Sequence, residues 1–324
     1  MGSLLITGGA GFIGSNFAHF WSKQEPQDEI IILDKLTYAA NTSNLDGIQD
    51  LTLVVGDIQN QELVRHLLVA HSIKTIVHFA AESHVDNSIK GPATFIQTNL
   101  VGTFSMLEAA RQVWAGDAAC RFLHVSTDEV YGALGETGKF SETTPYAPNS
   151  PYSASKAGSD HLVRAYFHTY GLPVITTNCS NNYGPRQHPE KLIPLAITRM
   201  LKNESIPIYG DGGQVRDWLY VDDHCRGIYA VLRNGKCGET YNIGGNNEWK
   251  NIVLINVLCD QVDRNIGREV GTSRKLIKFV TDRPGHDRRY AIDATKIESE
   301  LGWQHEVNFQ DGIAKTVEWY LANI

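Results

Sequence analysis

Short runs of aliphatic and β-branched residues alternate with longer stretches of helical periodicity through the first half of the chain. The apolar runs predict strands at 3–7, 29–34, 51–55, 75–79, 121–126 and 173–178. Between them, apolar positions recurring every three or four residues predict helices at 11–22, 59–70, 92–113 and 152–170. The strands are almost continuously apolar, so both of their faces are expected to be covered. Strands of that kind separated by helices build a parallel sheet with helices on each side, a doubly wound α/β fold. Past residue 182 the alternation weakens. Pro185, Pro189, Pro194 and Pro207, with Gly210, Gly212 and Gly213, predict an irregular region. A strand-and-helix unit returns at 215–232, a strand at 240–243, and an amphipathic helix closes the chain at about 309–321. We therefore expect a larger domain from 1–182 plus about 215–244. A smaller mixed α/β domain would interleave with it, from about 183–214 plus 245–324.

The 324 residues suffice for one large domain or two fused ones. With 42% hydrophobic and 20% charged residues, neither a disordered chain nor a fibre fits. A net charge of −7 provides no broad basic field, which excludes nonspecific nucleic-acid binding as the function. The opening apolar run is stopped at once by Gly8 and reads as a strand, not a targeting segment. No stretch approaches the roughly 18 apolar residues of a membrane span. The five cysteines include no Cys-x-x-Cys pair and the twelve histidines no His-Glu-x-x-His, so neither a disulfide framework nor a metal site is expected. A reducing compartment, the cytoplasm, fits this usage.

Gly8, Gly11 and Gly14 follow the first predicted strand and open the first predicted helix. In that context the glycines allow a tight turn, and backbone N–H groups can approach a pyrophosphate at a helix N-terminus. Asp34 ends the second strand 20 residues after Gly14, where a carboxylate accepts hydrogen bonds from an adenosine ribose and repels a 2′-phosphate. The pattern reads as a Rossmann-type site preferring NAD to NADP. Lys35, its neighbour, would point to the opposite face of the strand. Asp57 could place a carboxylate near the adenine; alone it would read as a helix N-cap.

Tyr152 and Lys156 stand four apart at the start of a helix, so hydroxyl and ammonium can project into one cleft. One positive charge about 4 Å away at an effective dielectric of ~20 is worth about 4 kcal/mol, enough to bring a phenol from about 10 to near 7. Thr127, Asp128 and Glu129 follow the fifth strand, at the sheet edge where this architecture places its ligands. A hydroxyl there can bond the oxygen that Tyr152 deprotonates. Two adjacent carboxylates beside a redox site suggest proton transfer; in an ordinary loop they would simply be solvated.

The runs 7–14 (Thr-Gly-Gly-Ala-Gly-Phe-Ile-Gly), 126–132 (Ser-Thr-Asp-Glu-Val-Tyr-Gly) and 150–156 (Ser-Pro-Tyr-Ser-Ala-Ser-Lys) resemble the extended short-chain dehydrogenase/reductase family. The runs 80–86, 179–185, 189–194, 215–224 and 282–290 are similar to its nucleotide-sugar dehydratases that act on dTDP-glucose. The resemblance implies a lyase with NAD as hydride carrier. Tyr152, aided by Thr127 and Lys156, would oxidise C4, Glu129 would remove the C5 proton, and Asp128 would protonate the departing C6 hydroxyl. It also implies NAD contacts at Phe12, Ile13, Lys35 and Thr37, and at Asp57, Ile58, Ala80 and Ala81. Substrate contacts are implied at Ser83, Thr127, Asn181, Lys191 and Leu192, at Pro207, Tyr209 and Arg216, and at Asn251, Arg283 and His286. Lys191, Arg216 and Arg283 suit a diphosphate. The family pattern further implies a homodimer paired through the helices at 92–113 and 152–170. Three places depart from it: Asn87 where arginine is expected, Arg186 and His188 where aromatic residues are common, and Ala40 where glycine is frequent. A UDP-hexose 4-epimerase on the same scaffold would need Tyr152 and Lys156 but not Asp128 and Glu129. Dehydratases of CDP-glucose or GDP-mannose, and a non-catalytic NAD-binding protein, are the other readings.

Overall fold

A computed structural model describes residues 2–323. Strand β1 (Ser3–Thr7) runs into helix α1 (Phe12–Gln24), followed by β2 (Glu29–Asp34), β3 (Leu51–Val55), α2 (Gln61–Ala70) and β4 (Thr75–His78). Two short helices follow, α3 (Val85–Lys90) and α4 (Pro92–Phe95). A π-helical segment (Ile96–Gly102) then continues directly into α5 (Thr103–Trp114). Strand β5 (Arg121–Thr127), helix α6 (Pro151–Tyr170) and strand β6 (Val174–Cys179) complete the first half. The second half supplies β7 (Asn181–Tyr183), α7 (Leu192–Leu201), β8 (Ile206–Tyr209), β9 (Val215–Tyr220) and α8 (Val221–Asn234). It continues through β10 (Thr240–Ile243), β11 (Glu248–Lys250), α9 (Asn251–Asn265), β12 (Ile277–Val280), α10 (Thr295–Leu301) and α11 (Phe309–Asn323).

Seven strands pair in parallel in the order β10-β6-β5-β4-β1-β2-β3. The central strand shows why its sequence reads as unbroken apolar. Leu4 and Ile6 join the core beneath α1 and α8, and Leu5 joins the core beneath α2, α5 and α6. Because β2 and β4 flank β1 on opposite sides, the winding reverses there and a cleft opens at the strands' carboxyl ends.

The second half departs from the expected irregularity. Residues 183–214 contain α7 and β8, which pack with α9 and α11 around Ile197, Leu258 and Val317. Pro194 lies in the first turn of α7, where its missing N–H breaks no intrahelical bond, so it does not interrupt the helix. Strand β9 pairs with β7 and β11 in a separate three-stranded sheet, whereas β10 joins the large sheet. Helix α8, directly after β9, does return to the larger part, where it packs on α1. A third, two-stranded sheet joins β12 to β8. No helix among the described residues is long and apolar enough to cross a membrane.

The helix expected at 92–113 is broken by the π-helical segment, and Asn99 lies inside it. Its side chain accepts from the Glu82 N–H (2.8 Å) and donates to the Glu82 carbonyl (3.0 Å) and to Ser155 Oγ (2.9 Å). One residue thus ties the loop after β4 to helix α6. Asn99→Ala leaves two buried backbone groups without partners and should cost about 2–3 kcal/mol of unfolding free energy. Urea denaturation monitored by circular dichroism measures this.

Candidate active site

The glycine turn is fixed by close packing. Gly8 has φ +69°, and a Cβ there would fall 2.7 Å from the Ala80 nitrogen; at Gly14 it would fall 2.4 Å from the Gly8 carbonyl oxygen. No side chain caps α1, so its first amides face the cleft that Gly8, Gly11 and Gly14 line. The macrodipole favours an anion at that point. Asp34 is buried at the end of β2, where Oδ2 accepts from the Ala10 N–H (3.0 Å) and Oδ1 from the Leu36 N–H (2.8 Å). Each oxygen keeps a further lone pair for a ribose hydroxyl. Lys35 pairs with Asp57 at 2.7 Å, and Asp57 also accepts from the Gln59 N–H at 2.9 Å. Both line the cleft, and Asn60, not Asp57, caps α2. The residues of this wall, Phe12, Ile13, Thr37, Ile58, Ala80 and Ala81 among them, enclose a cleft of about 400 Å³. The cradle and donor set fit a dinucleotide.

Helix α6 starts with a capping box between Ser150 and Ser153 and with Pro151 at its first position, which sets its N-terminus firmly at the cleft. Tyr152 packs edge-on against Phe95 of α4, with ring centroids 6.3 Å apart. Lys156 is 4% exposed and donates to the Val125 carbonyl at 2.8 Å. This arrangement corrects one expectation. The lysine alone does not bring the phenol near neutrality: burial first, then the Glu129 charge, hold it well above its ordinary value, and the Thr127 hydroxyl only partly opposes them. A dry cleft that also holds a carboxylate penalises a tyrosinate.

Thr127, Glu129, Tyr152 and Lys156 all line this cleft. Asp128 lies behind them, 1% exposed, and its Oδ2 has no partner. Burial, reinforced by Glu129 and Asp217, pushes its carboxyl well above the usual range. Glu129 is also raised by burial, but Arg283, Arg216 and Lys191 pull it back. The two neighbours therefore differ: burial, reinforced by like charges, favours a proton on Asp128, while at Glu129 three cations oppose burial.

Lys191 lines this cleft, and Arg216 and Arg283 act on Glu129 from β9 and from the loop after β12. Lys191 donates to the Ser83 carbonyl at 2.9 Å. Arg216, buried on β9, stacks over the Tyr290 ring at 4.2 Å. Arg283 and Tyr209 both reach Asp86, at 3.4 and 2.9 Å, and His286 pairs with Asp282 at 2.6 Å. The side-chain oxygens of Asn181 and Asn251 are buried without partners, as is Arg283 Nε, so polar groups for a ligand remain free. Leu192 opens α7 against the smaller core, and Pro207 lies on β8 two residues before Tyr209. Asp86, which organises Arg283 and Tyr209, went unread in the sequence; its only signal was its place after His84-Val85 in a run singled out for other reasons. The departures from the family pattern gather on the cofactor side. Tyr38 donates to Glu190 (3.1 Å) with His188 edge-on to its ring at 5.6 Å, and Arg186 donates to Asn16 of α1 at 3.0 Å. Ala40 lies in the same loop as Tyr38 and lines the cofactor cleft.

The family model for GDP-mannose 4,6 dehydratase matches residues 5–316. A dTDP-glucose 4,6-dehydratase of Xanthomonas campestris pv. campestris (strain B100) is 58% identical, across 100% of this chain and 94% of that one. One from Escherichia coli is 53% identical over 99% and 93%. The crystal structure of DesIV, a dTDP-glucose 4,6-dehydratase from Streptomyces venezuelae solved with NAD bound, superposes with a TM-score of 0.92 at 49% identity, covering 99% of this chain and 97% of that one. A UDP-glucose 4-epimerase from Thermotoga maritima superposes at 0.88, with 28% identity over 99% of each chain.

Asp128 binds its proton more tightly folded than unfolded, so its presence costs stability increasingly as pH rises from its unfolded value toward its folded one. Asp128→Asn should therefore stabilise the protein by about 1–2 kcal/mol at pH 8 and by much less at pH 4.5. Thermal melts at the two pH values measure the difference.

Proposed function

The chain belongs to the GDP-mannose 4,6-dehydratase family, and from that premise we infer that it is an NAD-dependent lyase converting dTDP-glucose to dTDP-4-keto-6-deoxyglucose, a step of deoxysugar biosynthesis. The observation that carries this reading is the pair Asp128 and Glu129 at the end of β5, adjacent carboxyls both raised by burial, with Glu129 lining the cleft beside Tyr152 and Lys156. An epimerase needs the phenol and the ammonium but has no proton chemistry for two carboxyls.

When bound, NAD would supply a hydride acceptor for C4, the hydride that returns to C6 after water is lost, and, while oxidised, a positive ring charge in the cleft. Tyr152 takes the C4 hydroxyl proton as the phenolate, the form that the Lys156 ammonium and the ring's positive charge together would favour against burial, with Thr127 as hydrogen-bond partner. The C4 ketone acidifies C5–H, and Glu129 removes that proton. Asp128, which burial keeps protonated, gives its proton to the hydroxyl leaving C6. Glu129 then returns a proton to C5. Lys191, Arg216 and Arg283 hold the diphosphate, with Ser83, Asn181, Tyr209, Asn251 and His286 placed for the nucleotide and sugar. We divide the labour as the sequence implies, with residues 1–182 and about 215–244 on the cofactor and the remainder on the sugar nucleotide. We also propose a homodimer in the cytoplasm. Ile96 and Phe104, 39% and 43% exposed on the helical stretch 92–114, form the apolar face that pairing with a second copy would cover.

Incubation with dTDP-glucose without reductant should give a product lighter by one water, with no net NADH. Reaction with UDP-, CDP- or GDP-sugars in its place would overturn the nucleotide. Glu129→Gln should lower the rate of water loss by about 10²–10⁴-fold while NADH still forms in a single turnover, followed at 340 nm by stopped flow. Water loss at the native rate would remove Glu129 from its role.

A further inference from the structure

Asp160 follows Lys156 by one helical turn, so both side chains lie on the face of α6 that packs against β5. It is 5% exposed, accepts from Ser126 Oγ at 2.8 Å, and lies 3.1 Å from His124 Nε2. The same imidazole nitrogen is 3.5 Å from Lys156 Nζ. Nothing in the reaction described above uses this buried set. Yet the Lys156 ammonium has one strong hydrogen bond, to the Val125 carbonyl, and a buried ammonium with so few partners tends to lose its proton. Burial does draw its pKa down, and the largest influence opposing burial is Asp160.

We propose, resting on the reading of Lys156 given above, that Asp160 is a positioning residue: across the α6–β5 seam, with His124 between them, it supplies the negative charge that keeps Lys156 an ammonium during turnover. Burial raises the Asp160 carboxyl to about 6, so it is ionised from neutral pH upward, the range in which Lys156 must hold its proton. His124 is held neutral by burial and contributes no charge of its own. The other groups facing the pair are His161 on α6, Tyr146 in the loop before it, Tyr131 after β5, Cys179 on β6 and His78 on β4. None of these carries a full negative charge at neutral pH. A second cleft, of about 710 Å³, has Asp160 in its wall and shares no lining residue with the first. Its other charged groups are Glu142, Arg164, His168, Glu239 and Lys296. Asp160 thus borders a space separate from the substrate cleft, with 5% of its surface exposed.

The test measures kcat from pH 6.5 to 10 with saturating dTDP-glucose. Asp160→Asn should move the alkaline limb down by about one pH unit, with a loss of about tenfold at pH 9 beyond any loss at pH 7. KM should change little, and Asp160→Glu should restore most of the limb. Ser126→Ala removes a hydrogen bond from Asp160 without its charge and should leave the limb in place. A native limb in Asp160→Asn, or the same shift in Ser126→Ala, would overturn the proposal. Lys156→Met is measured alongside: native turnover there sinks the reading of Lys156 itself, whereas an inactive Lys156→Met with a native Asp160→Asn profile sinks only the present inference. A second readout needs no variant at Asp160. In protein carrying ¹³C at the lysine ε-carbons, the Lys156 resonance, assigned by its absence in Lys156→Met, should follow the Asp160 titration near pH 6. A resonance that does not move from pH 5 to 7.5 would be equally fatal.

Discussion

The seam between β5 and α6 is the contact on which the rest of the site depends. Buried hydrogen bonds cross it from Lys156 to the Val125 carbonyl, from Ser126 to Asp160, and between His124 and Asp160. They pin the helix that carries the phenol to the strand that delivers the carboxyls. An apolar seam would bury as much surface but would tolerate a slip of the helix along the sheet. Polar partners in a dry interior accept one register, because any other leaves a charge unsatisfied. Asn99 extends the same logic on the outer side of α6, holding Ser155 and the loop at Glu82 with one amide.

Burial then does different work on each titratable group. It keeps the Asp128 proton on, leaves Glu129 balanced between desolvation and three guanidinium or ammonium charges, and raises the Tyr152 phenol. A group that must take a proton and give one back gains from such a balance, since a strong base returns its proton slowly and a weak one never takes it. The cations come from a different part of the chain than the carboxyls they act on. The two parts therefore meet in the electrostatics of Glu129 as much as in the surface they share.

The large sheet was legible because its signal is local. The apolar runs of β1 to β6 need no partner to be recognised, and their boundaries fall within a residue or two of the observed strands. The glycine turn, Asp34, Tyr152 and Lys156 were equally readable, since spacing alone brings them together. What the sequence concealed was set by tertiary context. Helix α7 hid behind Pro194, which is harmless in a first turn. The sequence left the partners of strand β9 unread, because β7 and β11 lie about 30 residues away on either side. The direction of the Tyr152 shift was misread for a similar reason. The count of charges near a phenol is visible in sequence, but the dryness of its cleft is not.

The large sheet closes with β10 against β6, and the intervening chain must first pass through β7, α7, β8, β9 and α8. During synthesis on a ribosome, the β6 edge therefore stays open while some 60 further residues emerge. An unpaired parallel edge of Val174, Ile175 and their neighbours is a template for intermolecular pairing. The smaller core is delayed further still, because α11 completes it. Nascent chains of this topology are most exposed to aggregation late in their production, and slower translation across the second half lengthens that exposure.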